Sequence, residues 1–118
     1  MSYIIFFFLY QFFIYFFLFL YYKMKVTITD STNPKKRLMA IFLDNNKKVR
    51  TTHFGLKGGS TFIDHKDETK KKNYLARHKV RENWNDYMSA GSLAKNILWN
   101  EPTLTASIKD YKKRFNLN

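Results

Sequence analysis

The sequence predicts an α+β fold: a small antiparallel three-stranded meander followed by three helices, preceded by a hydrophobic N-terminal helix. Three observations carry this. Residues 25–54 hold short runs of alternating or β-branched residues parted by turn residues. Residues 67–115 place apolar side chains three and four apart. Residues 3–22 are almost all Phe, Tyr, Ile and Leu, interrupted by Gln11.

With 118 residues the chain has room for one small domain, so the expected division is a hydrophobic segment 1–23 and a basic α+β domain 24–118. The formal net charge is +12 and no charged residue precedes Lys23, so the whole excess belongs to the domain. Such a surface attracts nucleic acid, anionic lipid or an acidic protein, and it also serves plain solubility. Cysteine is absent, which excludes disulfides, thiolate metal sites and a cysteine nucleophile.

Two readings fit residues 3–22. Twenty helical residues span about 30 Å, the thickness of a hydrocarbon core. Lys23 and Lys25 follow directly, which would leave a single-pass protein with its domain in the cytoplasm. A cleaved signal peptide fits less well, because the charged start and small-residue cleavage site are missing. The second reading is a leader upstream of the true start. The tract lacks Ala, Val and Gly, and Met24 stands directly before an ordinary strand. Membrane contact is expected only if residues 1–23 are translated.

Lys25-Val26-Thr27-Ile28-Thr29 alternates and reads as a strand. Asp30-Ser31-Thr32-Asn33-Pro34 is turn chemistry. Arg37 to Leu43 puts Leu38, Ala40 and Phe42 on one face and Met39, Ile41 and Leu43 on the other, the pattern of a central strand. Asp44-Asn45-Asn46 suits a hairpin turn. Lys47 to Phe54 returns as the third strand, with Val49 inward. Gly55-Leu56-Lys57-Gly58-Gly59-Ser60-Thr61 occupies the place of a phosphate loop but lacks the Gly-Lys-Ser/Thr ending, and the next helix is expected only from about Asp67. A turn with positive φ values is the plainer reading.

The first helix of the domain is expected over 67–82, opened by Asp67 and Glu68, with Tyr74, Leu75 and His78 inward and Lys70, Lys71 and Lys72 mostly toward solvent. Trp84 is expected to plug the core from a loop. Ser89 caps a second helix over 90–99, with Leu93, Ala94, Ile97 and Leu98 inward. A third helix follows Pro102, with Leu104, Ile108, Tyr111 and Phe115 in one stripe and Lys112, Lys113 and Arg114 in its last turn. The expected core is Leu75, Trp84, Leu93, Ile97, Trp99, Leu104, Ile108, Tyr111 and Phe115.

The stretch Thr52-His53-Phe54-Gly55, Gly58, His65-Lys66-Asp67, Tyr74, Arg77-His78, Glu82-Asn83-Trp84, Ala90-Gly91, Leu98-Trp99, Pro102 and Tyr111-Lys112-Lys113-Arg114-Phe115 resembles an uncharacterised family of small basic proteins of nucleocytoplasmic large DNA viruses, the mimivirus and phycodnavirus groups. The resemblance covers residues 24–118. It implies a viral source and a compact domain, in the infected host cytoplasm or the virion, and supplies no activity. Members usually start near the position of Met24.

His53, His65 and His78 are the candidate metal ligands, with Asp64, Asp67 or Glu82 as oxygen donors. No pair has the i, i+4 spacing of a helical zinc site, so no metal or other cofactor is expected. A nuclease using His65 as general base would need a metal-bound phosphate nearby, and no arrangement of residues singles one out. The polyanion-binding residues expected from charge are Lys70, Lys71, Lys72, Arg77, Lys79, Arg81, Lys112, Lys113 and Arg114. The expected function is thus a non-enzymatic basic module contacting nucleic acid or an acidic protein. The alternative is a membrane-anchored accessory protein.

Overall fold

A computed structural model describes residues 2–118. Helix α1 spans Ser2–Tyr21. Strands β1 (Lys25–Asp30), β2 (Lys36–Asp44) and β3 (Lys47–Leu56) follow, then α2 (Phe62–His65), α3 (Glu68–His78), α4 (Ala90–Leu93) running on into a π-helical turn Ala94–Leu98, and α5 (Leu104–Arg114). The architecture is α+β, an antiparallel meander in the order β1-β2-β3 with helices packed on it.

The register explains the inward face. Val26 pairs with Phe42 and Ile28 with Ala40 across β1 and β2; Leu38 pairs with Phe54 and Ala40 with Thr52 across β2 and β3. Because side chains alternate, these residues line one face, and Val26, Leu38, Ala40, Phe42 and Phe54 are all buried. Met39, Ile41 and Leu43 fall on the other face of the central strand and stay half-buried. Asn45 and Asn46 take positive φ values of 51° and 65°, so the hairpin is the tight left-handed turn that two asparagines favour. Val49 is not inward. It sits in a bulge, since Phe42 faces Arg50 while Leu43 faces Lys48, and it is 50% exposed.

The C-terminal residues close the outer edge of β1. The Asn118 N–H donates to the Met24 carbonyl and the Val26 N–H donates to the Asn118 carbonyl, both at 2.9 Å. Leu117 beside them is buried. Backbone groups that an edge strand leaves open are thereby paired.

The core joins the sheet to Leu93, Ile97, Leu98, Tyr111 and Leu117, with Trp99, Leu104, Ile108 and Phe115 partly buried against it. Tyr111 is fully buried, and its hydroxyl donates to the Tyr87 carbonyl at 2.6 Å. Burial pushes its phenol well above the usual tyrosine range. Leu75 and Trp84 are not in this core. Trp84 stays half-buried, because its Nε1–H donates to the Glu82 carboxylate at 2.8 Å and the Lys95 ammonium lies 5.0 Å above its ring. The expected second helix divides in two: the π-helical turn follows only four α-helical residues.

In α1 the described side chains run from Tyr3 to Phe17 and are exposed apart from half-buried Gln11 and Ile14. Among the described residues no helix is long and apolar enough to cross a membrane. The Tyr22 hydroxyl, just past α1, donates to the Asp44 carboxylate at the end of β2.

Candidate nucleic-acid interface

The glycine turn leads straight into a helix, earlier than expected. Gly55 and Gly58 have φ values of 79° and 81°, which only glycine adopts freely. Thr61 then caps α2: its N–H donates to Asp64 Oδ2 at 2.8 Å and its hydroxyl donates to the same oxygen at 3.0 Å. Arg37 of β2 grips that carboxylate with two parallel bonds of 2.6 and 2.9 Å. Hydrogen bonding to Arg37, helped by the Thr61 donors, holds the Asp64 carboxyl far below the usual range. The turn is further tied by the Lys57 N–H donating to the Lys35 carbonyl at 3.1 Å.

Asp67 opens α3 by accepting the N–H groups of Thr69 and Lys70. One helical turn apart, Tyr74 and His78 stack with ring centroids 4.0 Å apart. Trp99 stacks on Tyr74 at 4.2 Å and 5°. Two rings this close and this parallel cannot share one face, so Tyr74 lies between His78 and Trp99. His65 leans on Trp99 at 5.4 Å and meets Phe62 edge-on at 6.3 Å. The column therefore links α2, α3 and the end of the π-helical turn. Burial pushes the Tyr74 phenol up to about 12.

Glu82 fixes the outer end of the column. The His78 Nδ1–H donates to Glu82 Oε1 at 2.7 Å, while Trp84 holds Oε2. A cleft of about 550 Å³ opens beside the column, lined by Lys36, Gly55, Ser60, Tyr74, His78 and Trp99 among others. The bare face of Gly55 is what lets Leu98 come in: a Cβ there would lie 2.7 Å from Leu98 Cδ1. A second hollow, about 310 Å³, is lined by Arg77, His78, Val80 and Arg81.

The cations expected from the sequence divide by what they touch. Lys70, Lys72, Arg77, Lys79 and Arg81 are exposed, and none has an acidic partner among the described residues. Lys70 and Arg77, seven apart, share one helix face; Lys72 and Lys79 share another. Lys71 does not face solvent freely. Its ammonium donates to the Asn100 carbonyl at 2.6 Å and lies 4.6 Å over the Phe62 ring. Lys112 is half-buried and Lys113 exposed, while Arg114 makes a loose 3.4 Å contact with Asp110. Between these groups stands Lys95, which charge counting passed over. Burial lowers its pKa, and neighbouring Arg114 and Lys71 lower it further against a pull from Asp110.

The three histidines do not converge. His53 Nδ1 lies 2.7 Å from the Ser31 hydroxyl, His65 Nδ1 accepts the Asp67 N–H at 2.9 Å, and His78 is bound to Glu82. Among the described residues no group of three or more His, Asp or Glu side chains is placed to hold a metal ion. The i, i+4 spacing of Tyr74 and His78 could have signalled their stack. Nothing local in the sequence could have placed Trp99 on the far side of Tyr74.

No curated protein and no solved structure matches the chain. Residues 26–78, which carry the sheet, the glycine turn, α2 and α3, match a family whose description is "Family of unknown function (DUF5754)". Over that segment, ending at His78 and short of Glu82 and Trp99, the chain is similar to this family.

Proposed function

We propose that residues 24–118 form a non-enzymatic basic module that contacts nucleic acid or a similar polyanion, in the setting of a large DNA virus that the resemblance implies. The observation that supports it is how the charges are spent. Nine acidic residues face 21 Lys and Arg. Several of the nine are already engaged inside the fold: Asp67 on the α3 backbone, Glu82 on His78 and Trp84, Asp64 on Arg37, Asp110 on Asn100 and Arg114. Lys70, Lys72, Arg77, Lys79 and Arg81 around α3 are left without an acidic partner among the described residues. A field of one sign over a surface of this size draws phosphate chains.

The test is an anisotropy titration of the full chain, held in non-ionic detergent, with labelled duplex DNA. With four to six phosphates engaged, affinity should fall on the order of a hundredfold between 50 and 200 mM salt. Absence of saturable binding at low salt would overturn the reading in favour of a solvated face. A second reading, attachment to a membrane, keeps one observation: Phe6, Phe8 and Phe12 of α1 are between 65 and 71% exposed. Apolar surface of that extent marks contact with another apolar phase. Flotation with neutral lipid vesicles, lost when those three become Ser, would support it.

A further inference from the structure

We propose that the cleft beside the aromatic column receives an unpaired base of a single-stranded nucleic acid, with the adjoining phosphate held by Arg77 and Arg81. This rests on the polyanion reading above and names its ligand.

The cleft's volume of about 550 Å³ is that of a small-molecule pocket. Planar side chains, Tyr74, His78 and Trp99, contribute to its lining. An aromatic ring with a free face offers a base a stacking partner whatever its identity, and Tyr74, covered by His78 and Trp99, has none left. The ring that matters most is His78. It lines both the cleft and the smaller hollow, and its side chain is 38% exposed. Glu82 accepts its Nδ1–H, so the ring is already held in one orientation before any ligand arrives.

Charge says what kind of flat ligand fits. The smaller hollow is walled by Arg77 and Arg81 around Val80, an apolar side chain 81% exposed. Lys36 and Glu82 both line the cleft, and the Glu82 carboxylate is already held by His78 and Trp84. None of these three cations has an acidic partner among the described residues. A base at His78 thus has two guanidiniums beside it, and guanidinium binds phosphate through paired N–H groups. The two hollows meeting at one ring fit a nucleotide unit better than a neutral aromatic compound. In a duplex both faces of a base are already stacked, so the cleft selects unpaired bases.

The experiment uses the full chain in non-ionic detergent at low salt, with a labelled short oligoadenylate and an abasic strand of equal length. The base-bearing strand should bind about fivefold or more tighter, the effect of one stacked base. Ser60→Trp, at an exposed cleft position, should remove that difference and leave binding of the abasic strand unchanged. Should that variant melt early, Ala90→Trp, at another exposed position in the cleft lining, carries the same expectation. Equal affinity of the wild-type chain for both strands overturns the base cleft and leaves the polyanion reading in place. A preference that survives a folded cleft-filled variant also overturns it. Binding of neither strand overturns the polyanion reading itself. Adenosine monophosphate serves as the third probe. If it saturates the cleft at the same concentration as the strand, the ligand is a free nucleotide and the single-strand assignment falls.

Discussion

Gly91 leaves the space that the Glu82 carboxylate occupies: a Cβ on Gly91 would lie 2.7 Å from Glu82 Oε2 and 2.8 Å from its Cδ. A carboxylate at the end of a flexible chain could usually step aside. This one is held on both oxygens, by His78 and Trp84. Gly91→Ala therefore sets two effects against each other. Alanine in a helix gains about 0.5–1 kcal/mol over glycine, whereas breaking a hydrogen bond to a charged group costs about 1.5–3 kcal/mol. The expected result in a denaturant melt is a net loss of about 1 kcal/mol. In a Glu82→Ala background the same change should become stabilising. A stabilised single variant would show that Glu82 moves freely and does not fix His78.

Ile97 and Ile108 separate the two grades of core. Ile97 is fully buried in the π-helical turn, while Ile108 of α5 is half-buried against the core. Ile97→Ala should cost about 2–5 kcal/mol, since it removes apolar contact and leaves a cavity. Ile108→Ala should cost about 1–2 kcal/mol, because part of its surface already meets water. Equal losses in chemical denaturation would contradict this ranking.

Asp64 ties α2 to β2, and its folded pKa is depressed by Arg37. The sign follows. The ionised carboxylate is favoured in the fold, so its contribution is complete above the unfolded value of about 3.9 and is lost as pH falls below it. Denaturation midpoints taken from neutral pH downward should fall more steeply for the wild type than for Asp64→Asn over the acid range. With its side chain 38% exposed, Asp64 is screened by solvent, so the difference should be modest. Parallel curves would mean that the pair adds nothing to stability.

The sheet was legible because its signals are local. Alternation in β1, two apolar faces in β2 and two asparagines in the turn each report on a few adjacent residues, and the strands lie where those signals put them. Val49 defeated that reading because a bulge changes which way a side chain points without changing the composition of the strand. The helical half was legible only in part. Tyr111 and Ile97 follow from periodicity. The break into a π-helical turn does not, since Ala94 to Leu98 would suit an α-helix equally well. Trp84 shows the same limit. An indole near apolar residues reads as core, but a hydrogen-bond acceptor two residues away, Glu82, holds it at the surface. The cleft is a property of three elements that meet, and no single stretch announces it.

Lys71 parts company with its neighbours, and this changes what replacing them would do. Three consecutive lysines look equivalent in the sequence. In the fold Lys70 and Lys72 are exposed, whereas Lys71 donates to the Asn100 carbonyl and covers the Phe62 ring. Removing Lys71 therefore leaves a half-buried carbonyl without its donor and uncovers an aromatic face. A charged hydrogen bond contributes about 1.5–3 kcal/mol, and a cation over a ring adds about 0.5–1 kcal/mol. Lys71→Ala should lose about 2 kcal/mol of stability in a melt. Lys70→Ala with Lys72→Ala should stay within about 0.5 kcal/mol of the wild type. Binding should divide the opposite way. Each phosphate contact removed lowers the slope of log affinity against log salt by about 0.9 on duplex DNA, so the Lys70 and Lys72 pair should flatten that slope. Lys71→Ala should leave it nearly unchanged under conditions where the variant is folded. If Lys71→Ala flattens the slope as much as the pair does, its ammonium leaves Asn100 to meet phosphate, and its role in joining α3 to the chain after the π-helical turn is wrong.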